Sequence, residues 1–474
     1  MRKKIAAFAQ YAMTLPAFAF CVMTVPAFAS SDLVSATTSD AVVVADVASH
    51  TSSDSVPAEK KAETPSKVKL YGFVRNFMAF DSRQNIAGTK ALFYYLPKDE
   101  NIGDSGDDIN AQPNFRFLAI TSRFGIDVSG YSFGKTDVSA KIETDFYCMN
   151  GNVAVLRLRQ AYARLSWAGL GRSGKQSASF KIGQAWHPLA EGQPYVIALE
   201  TGTPFNPFSR TPLALVDYNF SKAFTFTGGI IYQMQYLSAG PSGASADYIK
   251  YSMVPEVYAG LTLRTESGFS AKAGVDVLSI KPRWRAADGK KLNDRITTAI
   301  PYVYADYKSK DFSINAKVVY GSAGEHINLL SGYGVSKVND DGSQRYTPLH
   351  SISSFVSAKY GRKVQVQGML GFIRNLGTSS SLVADKSIDG VDYTSLDNLY
   401  ISKNGFYNLN SLIRFTPTVV YNLGSKLVFG LEYDITSAYY GKATGMVKSS
   451  NGLANDDCHW VTNHRVLAMV KFTF

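Results

Sequence analysis

The sequence has little cysteine, little charge and only one long apolar run. Its 474 residues include three cysteines, and 18% of them are Asp, Glu, Lys or Arg, whereas soluble domains average about 25%. So few cysteines exclude a disulfide-stapled miniprotein, and a mean hydropathy of -0.07 excludes a bundle of membrane helices. Aromatic residues are plentiful, with 28 Tyr and 28 Phe, which excludes a disordered chain. The composition therefore indicates a large β-protein, either soluble or embedded in a membrane.

The first 29 residues have the pattern of an export signal. Basic residues 2–4 precede an apolar stretch over residues 5–25, and the small-x-small sequence of residues 27–29 suits a signal peptidase. The alternative is a membrane anchor, which Pro16 and Pro26 disfavour because they interrupt the apolar run. We expect residues 1–29 to be removed. Cys148 and Cys458 then remain, and whether they pair in an oxidising compartment stays open.

The rest of the chain divides at residue 67. Residues 30–67 contain no aromatic residue and are rich in Ser, Thr, Ala, Asp and Val, so they are predicted to form a disordered periplasmic extension. From Val68 to Phe474, aromatic and β-branched residues alternate with polar ones, which is typical of strands. Sixteen strands are predicted to start near Val68, Asn114, Thr136, Asn152, Gln176, Pro212, Ala223, Lys250, Phe269, Thr297, Asp311, Leu349, Lys363, Asn408, Ser425 and Thr462.

The connections between these strands largely alternate between short and long. Residues 308–310 and 422–424 are examples of short polar turns, whereas residues 81–113 and 323–348 form long connections. This alternation predicts an all-β fold: a transmembrane antiparallel β-barrel of about 16 strands with short periplasmic turns and long outer loops, over residues 68–474. A soluble sandwich would also alternate. The barrel is favoured because all four Trp residues lie near predicted strand ends, as at membrane interfaces, and because the last strand ends in Phe474.

Five short motifs in the first predicted strands carry a resemblance to a known family. They are KLYGFVR at residues 69–75, SRFG at 122–125, KIETDF at 141–146, LRLRQAY at 156–162 and KIGQAW at 181–186. In this order they resemble the DcaP-like porins of outer membranes. The resemblance implies a sixteen-stranded barrel, usually trimeric, that passes small anionic solutes such as dicarboxylates. Members of that family often carry an N-terminal coiled coil, and residues 30–67 depart from that pattern.

Alternation along each strand separates an apolar face from a charged face. The charged face is expected to point into the barrel, because an arginine that faces lipid at the membrane midplane costs about 2–4 kcal/mol. The candidate pore-lining residues on the strands are Arg75, Arg123, Lys141, Glu143, Asp145, Arg157, Arg159, Arg414, Glu432, Asp434 and Arg465. The acidic members are candidates for a field across the lumen from the basic ones.

The tight turn near Asn150 predicts how two of these strands pair. A hairpin centred there places Glu143 opposite Arg157 and Lys141 opposite Arg159. Two interpretations stay open: the charges form a ladder that only supports the wall, or the surplus arginines line the pore. The planar guanidinium offers paired donors that suit carboxylates.

The connection over residues 186–211 is the candidate constriction loop. It contains four prolines, which stiffen a loop, and it offers His187, Glu191, Glu200 and Arg210 to the pore. The alternative is an ordinary surface loop. No second metal ligand lies near His187 at a useful spacing, so a solvated histidine is expected there.

Catalytic and cofactor motifs are absent from the sequence. It contains no HExxH, GxSxG, CxxC or Walker-type sequence, so we predict no enzyme activity, no metal and no cofactor. The bases form no continuous stripe, which disfavours nucleic acid as a partner. The predicted function is a passive outer-membrane porin with a preference for anions, with membrane lipid and small anionic solutes as partners. The resemblance to DcaP-like porins implies two further copies of the chain as partners. The alternatives are an adhesive barrel whose loops occlude the lumen, and a soluble exported β-protein.

Overall fold

The computed structural model describes residues 67–90, 92–148, 154–286, 288–401, 407–442, 445–453 and 456–474. The predicted signal peptide and almost all of the predicted extension lie outside these ranges, and so do the side chains of Leu199 and Glu200. Predictions about those parts of the chain stay predictions.

The described residues are almost entirely β-structure. Helical segments are short: one α-helix, α1 (Asp247–Lys250), and four 3-10 turns at Pro188–Ala190, Leu199–Gly202, Glu325–Ile327 and Leu396–Asn398. Within the described ranges, no helix has the length and apolar character needed to cross a membrane. The strands in chain order are β1 (Lys67–Asp81), β2 (Asn85–Gly88), β3 (Phe93–Pro97), β4 (Asn114–Leu118), β5 (Arg123–Phe133), β6 (Thr136–Tyr147), β7 (Val155–Leu170), β8 (Gln176–Trp186), β9 (Arg210–Asn219), β10 (Phe224–Ile231), β11 (Glu256–Arg264), β12 (Phe269–Ile280), β13 (Ile296–Lys308), β14 (Phe312–Ser322), β15 (Gly332–Val338), β16 (Gln344–Gly361), β17 (Val364–Thr378), β18 (Lys386–Ile388), β19 (Val391–Ser395), β20 (Leu399–Ile401), β21 (Leu409–Leu423), β22 (Leu427–Tyr440), β23 (Met446–Lys448) and β24 (His459–Thr473).

Sixteen of these strands form a closed antiparallel barrel. They are β1, β5–β14, β16, β17, β21, β22 and β24, and the barrel closes where β1 pairs with β24. Strand β4 continues the line of β5 along β1, while β15 and β20 extend the sheet beyond the barrel at β16. The predicted sixteen-stranded barrel is confirmed.

Short turns join the strands at one end of the barrel, and most connections at the other end are long, with the β6–β7 connection as a short exception. We call these the turn end and the loop end. The turn after β21 contains Gly424 at a φ of +66°, a backbone conformation that glycine adopts without strain. Most predicted strand starts agree with the observed ones within three residues. β11 begins at Glu256 rather than near Lys250, because α1 occupies residues 247–250. β16 begins at Gln344, because it extends past the barrel to pair with β15.

The two faces of the barrel wall differ as alternation predicts. On β21, Ile413, Phe415 and Val419 point outward and are exposed, while Arg414 and Thr416 point inward and are buried. An apolar band of this kind is what a barrel presents to lipid. Trp186 is an exception to the prediction for tryptophans. Its ring packs inside the barrel against Phe208, with ring centroids 5.0 Å apart, and not at the outer rim.

The barrel interior contains a packed apolar core. The core is made by β3 and by the connection between β8 and β9, which both lie inside the wall. The ring of Phe93 packs edge-on against Phe208, with centroids 4.9 Å apart. Phe205 and Val196 belong to the same buried cluster, together with Phe355 of the wall. These two segments therefore fill part of the lumen.

Candidate functional site

Residues 187–209, between β8 and β9, form a loop that lies inside the barrel; we call it the constriction loop. Tyr195 donates its backbone N–H to Ser357 Oγ of β16 at 2.9 Å. Gln193 accepts a hydrogen bond through its carbonyl oxygen from Asn315 Nδ2 of β14 at 2.8 Å. Both wall residues point inward, so the predicted inward position of the loop is confirmed. Its role as a constriction stays a prediction.

Arg414 of β21 joins the constriction loop to β3. Its Nη1 donates to the carbonyl oxygens of Thr201 and Thr203 at 2.7 and 2.8 Å. Its Nη2 donates to the carbonyl oxygens of Tyr94 and Tyr95 at 3.2 and 3.0 Å. The side chain is completely buried. Arg414 lies on the inner face, where alternation places it, and both of its Nη groups donate to backbone carbonyls, so it supports the loop.

Two glycines of the wall leave room for apolar side chains of the constriction loop. A methyl group built on Gly371 of β17 would lie 2.5 Å from the Phe205 ring, and one built on Gly430 of β22 would lie 2.9 Å from Ile197 Cγ2. Any larger residue at these inward positions must displace the loop. The loop and the wall are therefore complementary in shape at two separate strands.

Arginines and carboxylates of β5, β6 and β7 form a continuous cluster on the inner wall. Asp145 accepts from Arg157 Nε at 2.6 Å and from Arg159 Nη1 at 2.5 Å. Glu143 accepts from Arg159 Nε at 2.8 Å, and Arg123 Nη1 lies 3.7 Å from the same carboxylate. Both carboxylates are buried and each contacts two guanidinium groups.

The predicted pairing of the β6–β7 hairpin was wrong. Asp145, not Glu143, lies opposite Arg157, and Glu143 lies opposite Gln160. Lys141 lies opposite Tyr162 instead of Arg159. The first cause is the position of the turn: Tyr147, the last residue of β6, pairs with Val155, the first of β7, so the hairpin is centred one residue beyond Asn150. An irregularity in the register between Glu143 and Thr144 then shifts the pairs beyond it by one more residue.

Arg210, the first residue of β9, extends this basic cluster. Its guanidinium carbon lies 4.8 Å from the Trp186 ring centroid, and that of Arg159 lies 5.8 Å from the same centroid. Arg210 donates through Nε to Gln235 Oε1 at 3.1 Å. Its Nη1 and Nη2 are buried and have no hydrogen-bond partner among the described residues. Four guanidinium groups thus surround two carboxylates, which leaves two positive charges in excess.

Glu191 forms a second charged group at the edge of the constriction loop. Its side chain is 42% exposed and pairs with Lys272 of β12. Burial opposes ionisation of the carboxyl group, but Lys272 and Lys181 outweigh it and lower the pKa of Glu191 to about 2. Glu191 therefore keeps its negative charge and faces three lysines, because Lys317 donates to its carbonyl oxygen.

The remaining predicted pore residues point inward but are engaged locally. Arg465 donates to both oxygens of Asp81, at 2.8 and 3.0 Å. Arg75 donates to Thr121 Oγ1 at 3.0 Å. Lys141 pairs with Asp127 at 2.7 Å, and Asp434 lies 3.3 Å from Arg414. Their role in conduction is a prediction that these contacts do not decide.

His187 is buried, which contradicts the expected solvated histidine. Its Nε2 lies 2.6 Å from Glu256 Oε1, and Asp276 and His326 complete a buried group of two imidazoles and two carboxylates. Sequence reasoning missed this group because its members are far apart along the chain. The period-two pattern of β11 and β12 was a usable signal, since it places Glu256 and Asp276 on the inner face.

Comparison with solved structures identifies the fold. The chain is similar to the outer membrane channel DcaP of Acinetobacter baumannii, with 18% identity and a TM-score of 0.59 over 87% of this chain and 99% of that one. The barrel has the fold of an outer-membrane channel. Weaker matches include an anion-selective porin from Comamonas acidovorans (12% identity, 86% and 100% of the two chains, TM-score 0.49) and OmpT of Vibrio cholerae (12%, 88% and 100%, 0.45). No protein-family model and no curated protein sequence matches the chain.

Proposed function

We propose that the protein is an outer-membrane porin, a passive channel for small hydrophilic solutes. The closed barrel with an apolar outer face supports a position in a membrane. The constriction loop supports selection by size, because hydrogen bonds to several wall strands hold it inside the lumen. The resemblance of the first strands to DcaP-like porins further implies a homotrimer, for which light scattering of the detergent-solubilised protein should give three copies.

We propose that this channel prefers anions, and Arg210 is the observation that carries the preference. A buried guanidinium with two unoccupied Nη groups is costly unless an acceptor reaches it. A carboxylate would accept from both groups at once, in the paired geometry that arginine offers. The excess positive charge of the surrounding cluster adds a long-range attraction for anions.

Current measurements across a planar lipid bilayer test both proposals. In a KCl gradient, we expect stepwise conductance and a reversal potential whose sign indicates selectivity for chloride over potassium. Added succinate should reduce the chloride current by competing for the same groups. Arg210→Gln should weaken that competition roughly tenfold, the change that corresponds to losing about 1.4 kcal/mol of binding. Arg362→Gln, in an exposed turn where the side chain pairs with Asp311, is the matched control.

Three outcomes separate the proposals. Cation selectivity would leave the porin in place and refute the anion preference. No effect of Arg210→Gln on succinate competition would remove Arg210 from the pathway. A folded barrel that never conducts would refute the porin.

The alternative of an occluded, adhesive barrel has one observation in its favour. Long connections at the loop end form a separate three-stranded sheet of β18, β19 and β23, and Ile388 and Val391 on it are exposed. Such an exposed sheet suits contact with another macromolecule. The bilayer experiment decides between the two, because only the porin conducts.

A further inference from the structure

The buried group around His187 contains two carboxylates, and one of them has no hydrogen-bond donor among the described residues. Glu256 and Asp276 lie on neighbouring strands β11 and β12 and are both fully buried. Neither oxygen of Asp276 accepts a hydrogen bond from any part of the chain that the structure describes. A buried carboxylate without a donor is strongly unfavourable when it is ionised. A bound cation would remove this cost.

The two histidines have different roles in this group. His187 Nδ1 accepts a hydrogen bond from the backbone N–H of Leu189 at 3.1 Å, so its Nε2 carries the proton and donates to Glu256 Oε1. His187 therefore orients the Glu256 carboxylate. His326 is different, because its Nε2 has no hydrogen-bond partner although it lies 3.2 Å from Glu256 Oε2 and 3.9 Å from Asp276 Oδ2.

These separations are close to those between the ligands of a metal ion. Nitrogen and oxygen ligands lie about 2.0–2.2 Å from Zn²⁺, so two ligands at a tetrahedral angle are about 3.3–3.6 Å apart. The observed 3.2 and 3.9 Å lie on either side of that range. Ligand atoms of Glu256 and Asp276 lie within 4.8 Å of each other and of His187, and His326 approaches the same two carboxylates from the turn Glu325–Ile327. Imidazole together with carboxylates suits first-row divalent metals better than Mg²⁺ or Ca²⁺, which prefer oxygen alone.

We propose that Glu256, Asp276 and His326 bind a divalent transition-metal ion of the zinc class, with His187 as the partner that orients Glu256. Such an ion would neutralise both carboxylates and bind His326 Nε2, which makes no hydrogen bond among the described residues. Carboxylates that bind a metal are usually hydrogen-bonded by a further residue, and His187 supplies that hydrogen bond to Glu256. This proposal does not depend on the porin function.

A metal ion bound to His326 would connect the barrel wall to the turn Glu325–Ile327. His326 belongs to the 3-10 turn Glu325–Ile327, and Phe208 of the constriction loop donates its N–H to Ile327 O at 2.8 Å. Glu256 and Asp276 belong to the wall. The metal would therefore join the wall to the turn that holds the end of the constriction loop.

Metal content of the refolded full chain tests the proposal. The ligands are buried, so the protein is refolded from urea into detergent with ZnCl₂ and then dialysed. Elemental analysis should find about one zinc per folded chain. Asp276→Asn and His326→Gln should each lower the zinc affinity at least about tenfold. His459→Gln, a histidine that pairs with Asp99 outside this group, should keep full zinc content.

Two further measurements separate metal binding from a folding defect. The heat-dependent shift in gel mobility reports whether each variant has formed its barrel. Cobalt loading should give the strong visible absorption of a tetrahedral site in the unmodified protein and lose it in Asp276→Asn. Refolded protein with far less than one zinc per chain, or a folded Asp276→Asn variant that keeps its zinc, would overturn the proposal.

Discussion

Thr201 Oγ1 donates a hydrogen bond to Glu432 Oε1 at 2.8 Å, inside the barrel. The other oxygen of this carboxylate accepts the backbone N–H of Ile197 at 2.9 Å. One wall side chain thus holds the constriction loop at two points, four residues apart. Because Glu432 is buried, water does not replace these hydrogen bonds when the carboxylate is removed.

Replacement of this carboxylate should loosen the constriction loop. Glu432→Ala leaves the Ile197 N–H without an acceptor, which costs about 1–3 kcal/mol. We expect a lower free energy of unfolding in urea titrations into lipid vesicles, and larger and more variable single-channel conductance. Glu266→Ala, in an exposed turn, should change neither quantity. An unchanged conductance in a folded Glu432→Ala variant would show that this anchor does not set the width of the channel.

The space at Gly371 should be essential to the position of the loop. In Gly371→Val, the new side chain collides with the Phe205 ring, and overpacking of this kind costs about 1–3 kcal/mol. We expect a displaced loop and altered single-channel conductance. Gly368→Val on the same strand is the control, because Gly368 points outward, where the nearest atom to an added methyl group is 3.4 Å away. Equal effects of the two substitutions would contradict the packing argument.

Arg157 and Arg159 should respond differently to the same substitution. Arg159 is buried between Glu143 and Asp145, so Arg159→Gln breaks a buried ion pair and should lower stability by about 3–5 kcal/mol. The Arg157 side chain is 21% exposed, so Arg157→Gln should chiefly lower the chloride selectivity measured in a KCl gradient. The opposite pattern, with stability lost at Arg157 and selectivity at Arg159, would refute this division of roles.

The charged residues of the wall were predicted either to form a supporting ladder or to line the pore. Both interpretations therefore apply, each to different residues. Arg159 fits the supporting ladder, and Arg157 is the better candidate for contact with solutes because its side chain is 21% exposed. Arg210 is buried like Arg159, and its candidacy rests on its two Nη groups, which have no acceptor among the described residues. Alternation was sufficient to place Arg157 and Arg159, which share a strand face. Arg210 was instead assigned to the connection over residues 186–211, and in the structure it begins β9. Alternation does not give the neighbours across the strands, because the position of the turn between β6 and β7 and one register irregularity between Glu143 and Thr144 both shift the pairing.

Alternation gives the face of a side chain but not its neighbours, and this also explains which contacts inside the lumen the sequence did not predict. The prolines of residues 186–211 predicted a stiff loop, but its anchors on β14, β16, β21 and β22 are contacts between distant parts of the chain. The burial of His187 depends on Glu256, which is 69 residues away in the sequence. Strand periodicity reports which face a side chain occupies, whereas such contacts depend on how the barrel closes.

The pH dependence of stability should report the state of Glu191. Its pKa is about 2 in the folded protein, below the ordinary value of 4.5. A depressed carboxyl pKa contributes stability above the unfolded pKa and loses it as the pH falls from about 4.5 to 2. Because the carboxylate is partly exposed, the contribution should be at most about 1 kcal/mol.

We expect unfolding titrations of Glu191→Gln to show a smaller loss of stability than the unmodified protein over this interval, and no difference in slope between pH 5 and 8. Lys272→Met should remove most of the same pH dependence, since Lys272 is the largest charge that lowers this pKa. Identical profiles for Glu191→Gln and the unmodified protein would mean that the Glu191–Lys272 ion pair does not persist in solution.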